Sequence, residues 1–153
     1  MKIFIGADHA GFKLKTEMAK YLESAGYAFE DLGAKKINLK DDYPDYAFRV
    51  CEKVAEMEGL GILFCGSAEG VCIAANKVEG VRAVNPGIVK LAKLSREHND
   101  ANVLCLSGWH TSPAAAKKII SVWLKTPFSG EVRHIRRVKK ISKFESTCCG
   151  ECK

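Results

Sequence analysis

GLGILFCGSAEG, residues 59–70, joins an uninterrupted apolar run to a loop of small residues. Seven residues ending at Cys65 with no polar interruption read as a strand buried on both faces, the pattern of a central parallel strand. The loop that follows, residues 66–70, lets the backbone turn sharply. Working outward, the same alternation recurs. Strands are expected at 2–7, 27–32, 81–84 and 102–107. Helices are expected at 12–25, stopped by Gly26, and at 43–57, with Pro44 tolerated in the first turn. A short helix should run to Lys77, with others at 88–94, 112–124 and, strongly basic, 131–144. Strands alternating with helices imply parallel crossovers. The expected fold is therefore a single three-layer α/β Rossmann-like domain, with a five-stranded parallel sheet, helices on both faces and a basic C-terminal helix. It should occupy residues 1–145, with 146–153 an unstructured Cys-rich tail.

Composition narrows the class. At 153 residues, 47% hydrophobic and 27% charged, the chain can bury a core of its own. No apolar run approaches the roughly 20 residues that cross a bilayer. In the opening MKIFIGADHAG, Asp8 and His9 interrupt the apolar stretch too early for a secretory leader, so a cytoplasmic protein with no membrane partner is expected. The seven cysteines are odd in number, and Cys51, Cys65, Cys72 and Cys105 sit in apolar segments, which suits reduced thiols. The tail cysteines Cys148, Cys149 and Cys152 include a CxxC with no second pair, short of the four ligands of a tetrahedral zinc site. The formal charge of +6 favours anionic partners.

In an open α/β sheet, ligands bind beyond the carboxyl ends of the strands. Asp8 and His9 follow the first strand and Cys65 ends the third, so both groups belong to that edge. His98 and Asn99 precede the fifth strand and belong to the opposite end, so a long loop or a neighbouring subunit must bring them in. Backbone N–H groups of residues 66–70, with the helix start near Gly70, form a nest able to hold a phosphate or an oxyanion. A cysteine at its lip should have its thiolate stabilised and could abstract a carbon-bound proton. A plain strand-to-helix turn with a buried cysteine satisfies the same spacing. No G-x-G-x-x-G opens a helix, so this is not a dinucleotide fingerprint.

Several segments in order are recognisable: GADHAG at 6–11, DDYPDYA at 41–47, CGS and GVCIAANK within 65–77, GVRA at 80–83, REHNDANVLCL at 96–106 and RHIRRVKKI at 133–141. In these the chain resembles the type B ribose-5-phosphate isomerases and the galactose-6-phosphate isomerase subunits, over residues 1 to about 145. The resemblance implies an aldose–ketose isomerase acting on a phosphorylated sugar, foremost D-ribose 5-phosphate, through a cis-enediolate. It makes Cys65 the base, Ser67 a hydroxyl assisting proton movement, and Asp8 and His98 the groups that open the sugar ring. Gly66 to Gly70 would stabilise the enediolate. His9, Arg133 and Arg137 would hold the phosphate, and Tyr43 and Asn99 would line the sugar site. It implies no metal, no organic cofactor and no nucleic acid, and a homodimer or homotetramer whose active sites lie at the subunit interface. Arg133 and Arg137, spaced i, i+4, leave one helix face and suit a phosphate.

Three positions depart from the family pattern. Ala68 replaces a usual glycine, which is strained by on the order of 1 kcal/mol if the site needs φ > 0. Glu69 puts a carboxylate beside an anion site, and Trp109 stands where many relatives carry a phosphate-binding arginine. One branch of the family uses a glutamate base further along the loop, but that position is Val71 here. The alternatives are isomerisation of a six-carbon sugar phosphate, a sugar-phosphate-binding protein that has lost its chemistry, and, from the basic last helix, a nucleic-acid-binding module. The last lacks any interleaving of aromatic and basic residues.

Overall fold

A computed structural model describes residues 2–56 and 59–150. Its elements run β1 Lys2–Ala7, α1 Phe12–Ser24, β2 Phe29–Asp31, α2 Tyr43–Ala55, β3 Gly59–Cys65, α3 Glu69–Ala75, β4 Ala83–Val84, α4 Val89–Asn99, β5 Val103–Ser107, α5 Pro113–Lys125 and α6 Val132–Gly150. The sheet is five-stranded in the order β2-β1-β3-β5-β4, and every pairing is parallel. This is the α/β architecture the alternation of apolar runs implies.

The period-two side-chain alternation of the strands divides the core into two layers. Ile3, Ile5, Ile62, Phe64, Leu104 and Leu106 face one way, onto α1, α4 and α5 through Leu14, Met18, Ala92, Ile120 and Trp123. Phe4, Leu63, Cys65, Val103 and Cys105 face the other, onto α2 and α3 through Val50, Val54, Val71 and Ala75. β3 contributes to both layers, which explains why it is apolar without interruption.

Several boundaries differ from the sequence reading. β2 and β4 are shorter than expected, since few neighbours remain to pair with at the sheet edges. α4 continues to Asn99 rather than ending near Leu94, so His98 and Asn99 occupy its last turn instead of a long loop. That helix stops at Asp100, a non-glycine residue with φ 46°, gripped by Arg82 and Arg96 at 3.0 Å each. α6 extends past Phe144 to Gly150, so residues 146–150 of the Cys-rich tail continue the helix. Residues 151–153 lie outside the described residues, as does Met57, the expected end of α2.

Strand order positions the site. From β1 the chain winds outward to β2, then crosses back to place β3 on the other flank of β1. The loops after β1 and β3 therefore diverge from a switch point between adjacent strands, where a crevice opens. Close packing holds those loops together. A Cβ on Gly11 would lie 2.3 Å from the Phe64 carbonyl, so only glycine lets α1 start against the end of β3.

Candidate active site

At the switch point lies a pocket of about 240 Å³ lined by Asp8, His9, Ala10, Tyr43, Cys65, Gly66, Ser67, Gly70 and Trp109. Larger hollows exist, including one of about 600 Å³ along α6, but it is walled by lysines, an arginine and aliphatic side chains with no group suited to proton transfer at carbon. Chemistry, not size, singles out the smaller one.

Each wall has a local cause. Ala7 pairs with Phe64 and Cys65 with Ser107, so β1, β3 and β5 end level and release their loops side by side. The loop after β5 keeps bonding to the end of β3: Gly108 N–H donates to the Cys65 carbonyl at 2.8 Å and Trp109 N–H to that of Gly66 at 3.2 Å. The Ser107 hydroxyl donates to the same Gly66 carbonyl at 2.6 Å. Trp109 thus lies over Gly66, where a Cβ would come within 2.5 Å of its ring, although the indole is 68% exposed. Gly70 makes room for Tyr43 in the same way, with a Cβ falling 2.7 Å from the phenol ring.

Cys65 is 4% exposed. Backbone N–H groups of Val71, Ala68 and Ser67 converge on its sulfur, so the nest expected from the small residues is present. The expected stabilised thiolate is not. Burial pushes the Cys65 thiol above its ordinary range, the three N–H groups offset this only in part, and the neighbouring Asp8 charge adds to the rise. Cys65 is therefore a thiol at rest in the free chain. Asp8, 6% exposed, is likewise raised by burial, against the pull of the Gly11 N–H that donates to its Oδ1 at 2.9 Å. The pocket floor thus carries two groups that keep protons longer than they would in water.

Ala68 adopts φ 72°, ψ −11°, the left-handed conformation the family's glycine would take freely. Its methyl is fully buried in the α2–α3 core layer, which offsets part of the strain. Glu69 turns away from the pocket and accepts a hydrogen bond from Asn85 Nδ2 at 2.7 Å. Ser67 is exposed at the rim, its Oγ accepting from Glu69 N–H at 3.3 Å.

The pocket gathers seven residues named from the sequence: Asp8, His9, Tyr43, Cys65, Gly66, Ser67 and Gly70. It does not gather His98, Asn99, Arg133 or Arg137 from the same chain. His98 and Asn99 lie in the last turn of α4, where Asn99 lines a separate hollow with Glu69 and Cys72. His98 stacks on the buried His134 of α6 with ring centroids 4.3 Å apart, and His134 Nδ1 pairs with Ser129 Oγ at 2.8 Å. Arg133 and Arg137 are exposed on the same helix, Arg133 bonding to Glu131 at 2.8 Å. Residues missed by the sequence reading are Asp41 and Tyr46. Asp41 Oδ1 pairs with His9 Nδ1 at 2.5 Å, and Tyr46 donates to Asp41 Oδ2 at 3.1 Å. The DDYPDYA motif contained both, but nothing local says that Asp41 meets His9, 32 residues away. Among the described residues no cluster of three or more His, Cys, Asp or Glu side chains is placed to hold a metal.

A buried thiol, a nest of N–H groups and a carboxyl–imidazole pair at an α/β switch point define an enzyme of proton transfer at carbon. A family model described as Ribose/Galactose Isomerase matches residues 3–141, so the chain belongs to that family. Its relatives include a probable ribose-5-phosphate isomerase B of Mycoplasma genitalium, 44% identical over 145 residues, covering 94% of this chain and 95% of that protein. Solved structures agree. The ribose-5-phosphate isomerase B of M. genitalium with bound ribulose-5-phosphate superposes with a TM-score of 0.91 at 44% identity, covering 95% of this chain and 96% of that one. The Clostridium thermocellum enzyme superposes with a TM-score of 0.92 at 44% identity, covering 96% and 99%.

Proposed function

We propose that this protein interconverts D-ribose 5-phosphate and D-ribulose 5-phosphate, with Cys65 as the base. The observation that carries the reading is the convergence of three backbone N–H groups on a thiol at the floor of the switch-point pocket. Aldose–ketose isomerisation needs one base reaching two adjacent carbons and a site for the oxyanion formed between them. Cys65, once its thiol proton has been lost to solvent, takes the proton from C2 of the open-chain aldose as a thiolate and returns it to C1. The negative charge it releases passes to the enediolate oxygens and is met by the N–H groups of the 66–70 loop. Ser67, at the rim, passes the hydroxyl proton between O1 and O2 in this reading. Asp8, which retains its proton above the ordinary carboxyl range, suits the ring-opening step, in which the ring oxygen gains a proton.

A second copy of the chain completes the site in this reading. His98, Asn99, Arg133 and Arg137 have the chemistry for ring opening and phosphate binding, yet lie away from their own pocket. α6 supports the dimer: Val132, Ile141 and Phe144 are 81%, 45% and 71% exposed, and apolar surface of this extent on a long helix calls for a partner. Cys51, Cys65, Cys72 and Cys105 are all free thiols, which supports a cytoplasmic setting.

The test is to incubate the protein with ribose 5-phosphate and follow aldose-to-ketose conversion by NMR, with allose and galactose 6-phosphates in parallel. Conversion of the five-carbon sugar in preference to both six-carbon ones is expected. Preference for a six-carbon sugar would replace the substrate, and no turnover of any would overturn the reading.

A further inference from the structure

We propose that Asp41 is a positioning residue that holds His9 as an imidazolium with its Nε2–H turned to the substrate phosphate, a claim that rests on the sugar-phosphate reading above. The geometry is a chain of three side chains. Asp41 Oδ1 accepts both the His9 backbone N–H, at 3.2 Å, and His9 Nδ1, at 2.5 Å. Asp41 Oδ2 accepts the Tyr46 hydroxyl at 3.1 Å. The Asp41 side chain is 6% exposed, whereas that of His9 is 31% exposed and lines the pocket.

Tautomer chemistry gives this chain its consequence. With Nδ1–H committed to the carboxylate, a neutral His9 would present a bare lone pair at Nε2 and repel an anion. Only the imidazolium donates from both nitrogens. Among the nine residues lining the pocket, His9 is the single basic one. Among the side chains of this chain's own pocket walls, a positive charge for phosphate therefore depends on the His9 proton.

The surroundings agree on its sign. Asp8 on the same loop and Asp41 from the β2–α2 segment are acidic. Tyr43 and Tyr46 from α2, the Cys65 thiol from β3 and Trp109 from the loop after β5 are neutral, with His110 beyond Trp109. The nearest cation on α2 is Arg49, stacked over the Tyr46 ring at 5.6 Å. The Asp41 hydrogen bond, then the Asp8 and Asp41 charges, raise His9 above the ordinary imidazole range despite some desolvation. Burial opposes the Asp41 charge, but the His9 ring and amide and the Tyr46 hydroxyl hold that carboxyl below its usual range.

Asp41→Asn keeps the shape of the carboxylate and removes its charge. In the ligand-free protein, ¹⁵N NMR of the His9 ring should titrate above an ordinary imidazole in the wild type and clearly lower in Asp41→Asn. With ribose 5-phosphate, KM at about pH 8 should rise roughly tenfold or more while kcat changes far less, and the gap should close towards about pH 6, where either imidazole is protonated. A merely structural role would raise KM equally at all pH. Identical His9 titrations, or a pH-independent KM ratio, overturn the proposal. If Asp41→Asn fails to fold, Tyr46→Phe frees the carboxylate from its other anchor. A displaced His9 titration there supports the relay, and an unchanged one overturns it. Because the titration is read without substrate, a wild type that turns over no sugar phosphate but shows the Asp41-dependent shift would defeat the substrate reading and leave the His9–Asp41 coupling standing.

Discussion

The pocket at the end of β3 and the face formed by α4 and α6 are built on opposite principles. Every wall of the pocket is fixed by the chain itself. Strand register sets Cys65 beside the loops after β1 and β5, glycines admit Trp109 and Tyr43, and N–H groups converge on a sulfur that water scarcely reaches. The α4–α6 face is equally well anchored, with His98 stacked on His134 and the end of α4 gripped by two arginines, yet none of its candidate site residues lines the pocket that holds Cys65. A closed pocket can raise a pKa and shelter an intermediate. An exposed helix can deliver charge only to whatever docks on it. In the proposed reading the enclosed half holds Cys65, Asp8 and His9, while the displayed half offers His98, Asn99, Arg133 and Arg137 to a second copy's site.

The largest expected effect lies in the enclosed half. Cys65→Ala should lower kcat by on the order of 10²–10⁴, with substrate affinity by calorimetry little changed. Near-normal turnover would show that the pocket is not where the proton moves.

The displayed half should matter through affinity. Arg137→Ala should raise KM for ribose 5-phosphate by roughly ten- to a hundredfold, the loss of one charge-assisted hydrogen bond. If the comparison is right, the two defects lie on different copies of one site. Mixing Cys65→Ala with Arg137→Ala chains should then restore roughly a quarter of the wild-type activity, since half the dimers are mixed and each carries one intact site. No recovery despite proven subunit exchange would put both residues in one chain's site.

A moderate effect sharpens what enclosure does to the thiol. Because burial outweighs the N–H groups, alkylation of Cys65 by iodoacetamide in the free protein should be slow at neutral pH and rise with a midpoint above that of an ordinary thiol. A midpoint below the ordinary value would mean that the nest, not burial, dominates.

The smallest effect concerns Ala68. Replacing it with glycine relieves about 1–2 kcal/mol of left-handed strain, but gives up about 0.8 kcal/mol of methyl burial and about 0.5–1 kcal/mol through the freer unfolded chain. These nearly cancel, so Ala68→Gly should shift Tm by no more than about 3 °C and leave turnover close to wild type. A strong gain in activity would instead mark Ala68 as a brake on the loop.

The apolar runs, the helix stops and the small-residue loop after Cys65 are local patterns, and they determined the α/β class, the parallel sheet and the placing of Asp8, His9 and Cys65 on one edge. Hydrophobic periodicity is written residue by residue, so a single sequence carries it. Even the strain at Ala68 was foreseeable, because φ > 0 is a property of one residue's backbone. What tertiary structure alone decided are relations through space. The pairing of Asp41 with His9 follows from how α2 crosses back over the sheet, and no spacing announces it. The resting state of Cys65 turned on burial by two helices against three N–H groups, a balance of opposing effects that a motif cannot weigh. The continuation of α4 to Asn99 set His98 on a helix end packed against α6, away from Cys65. That separation is a matter of rigid-body geometry, and it emerges only when the whole sheet has been wound and its helices laid on both faces.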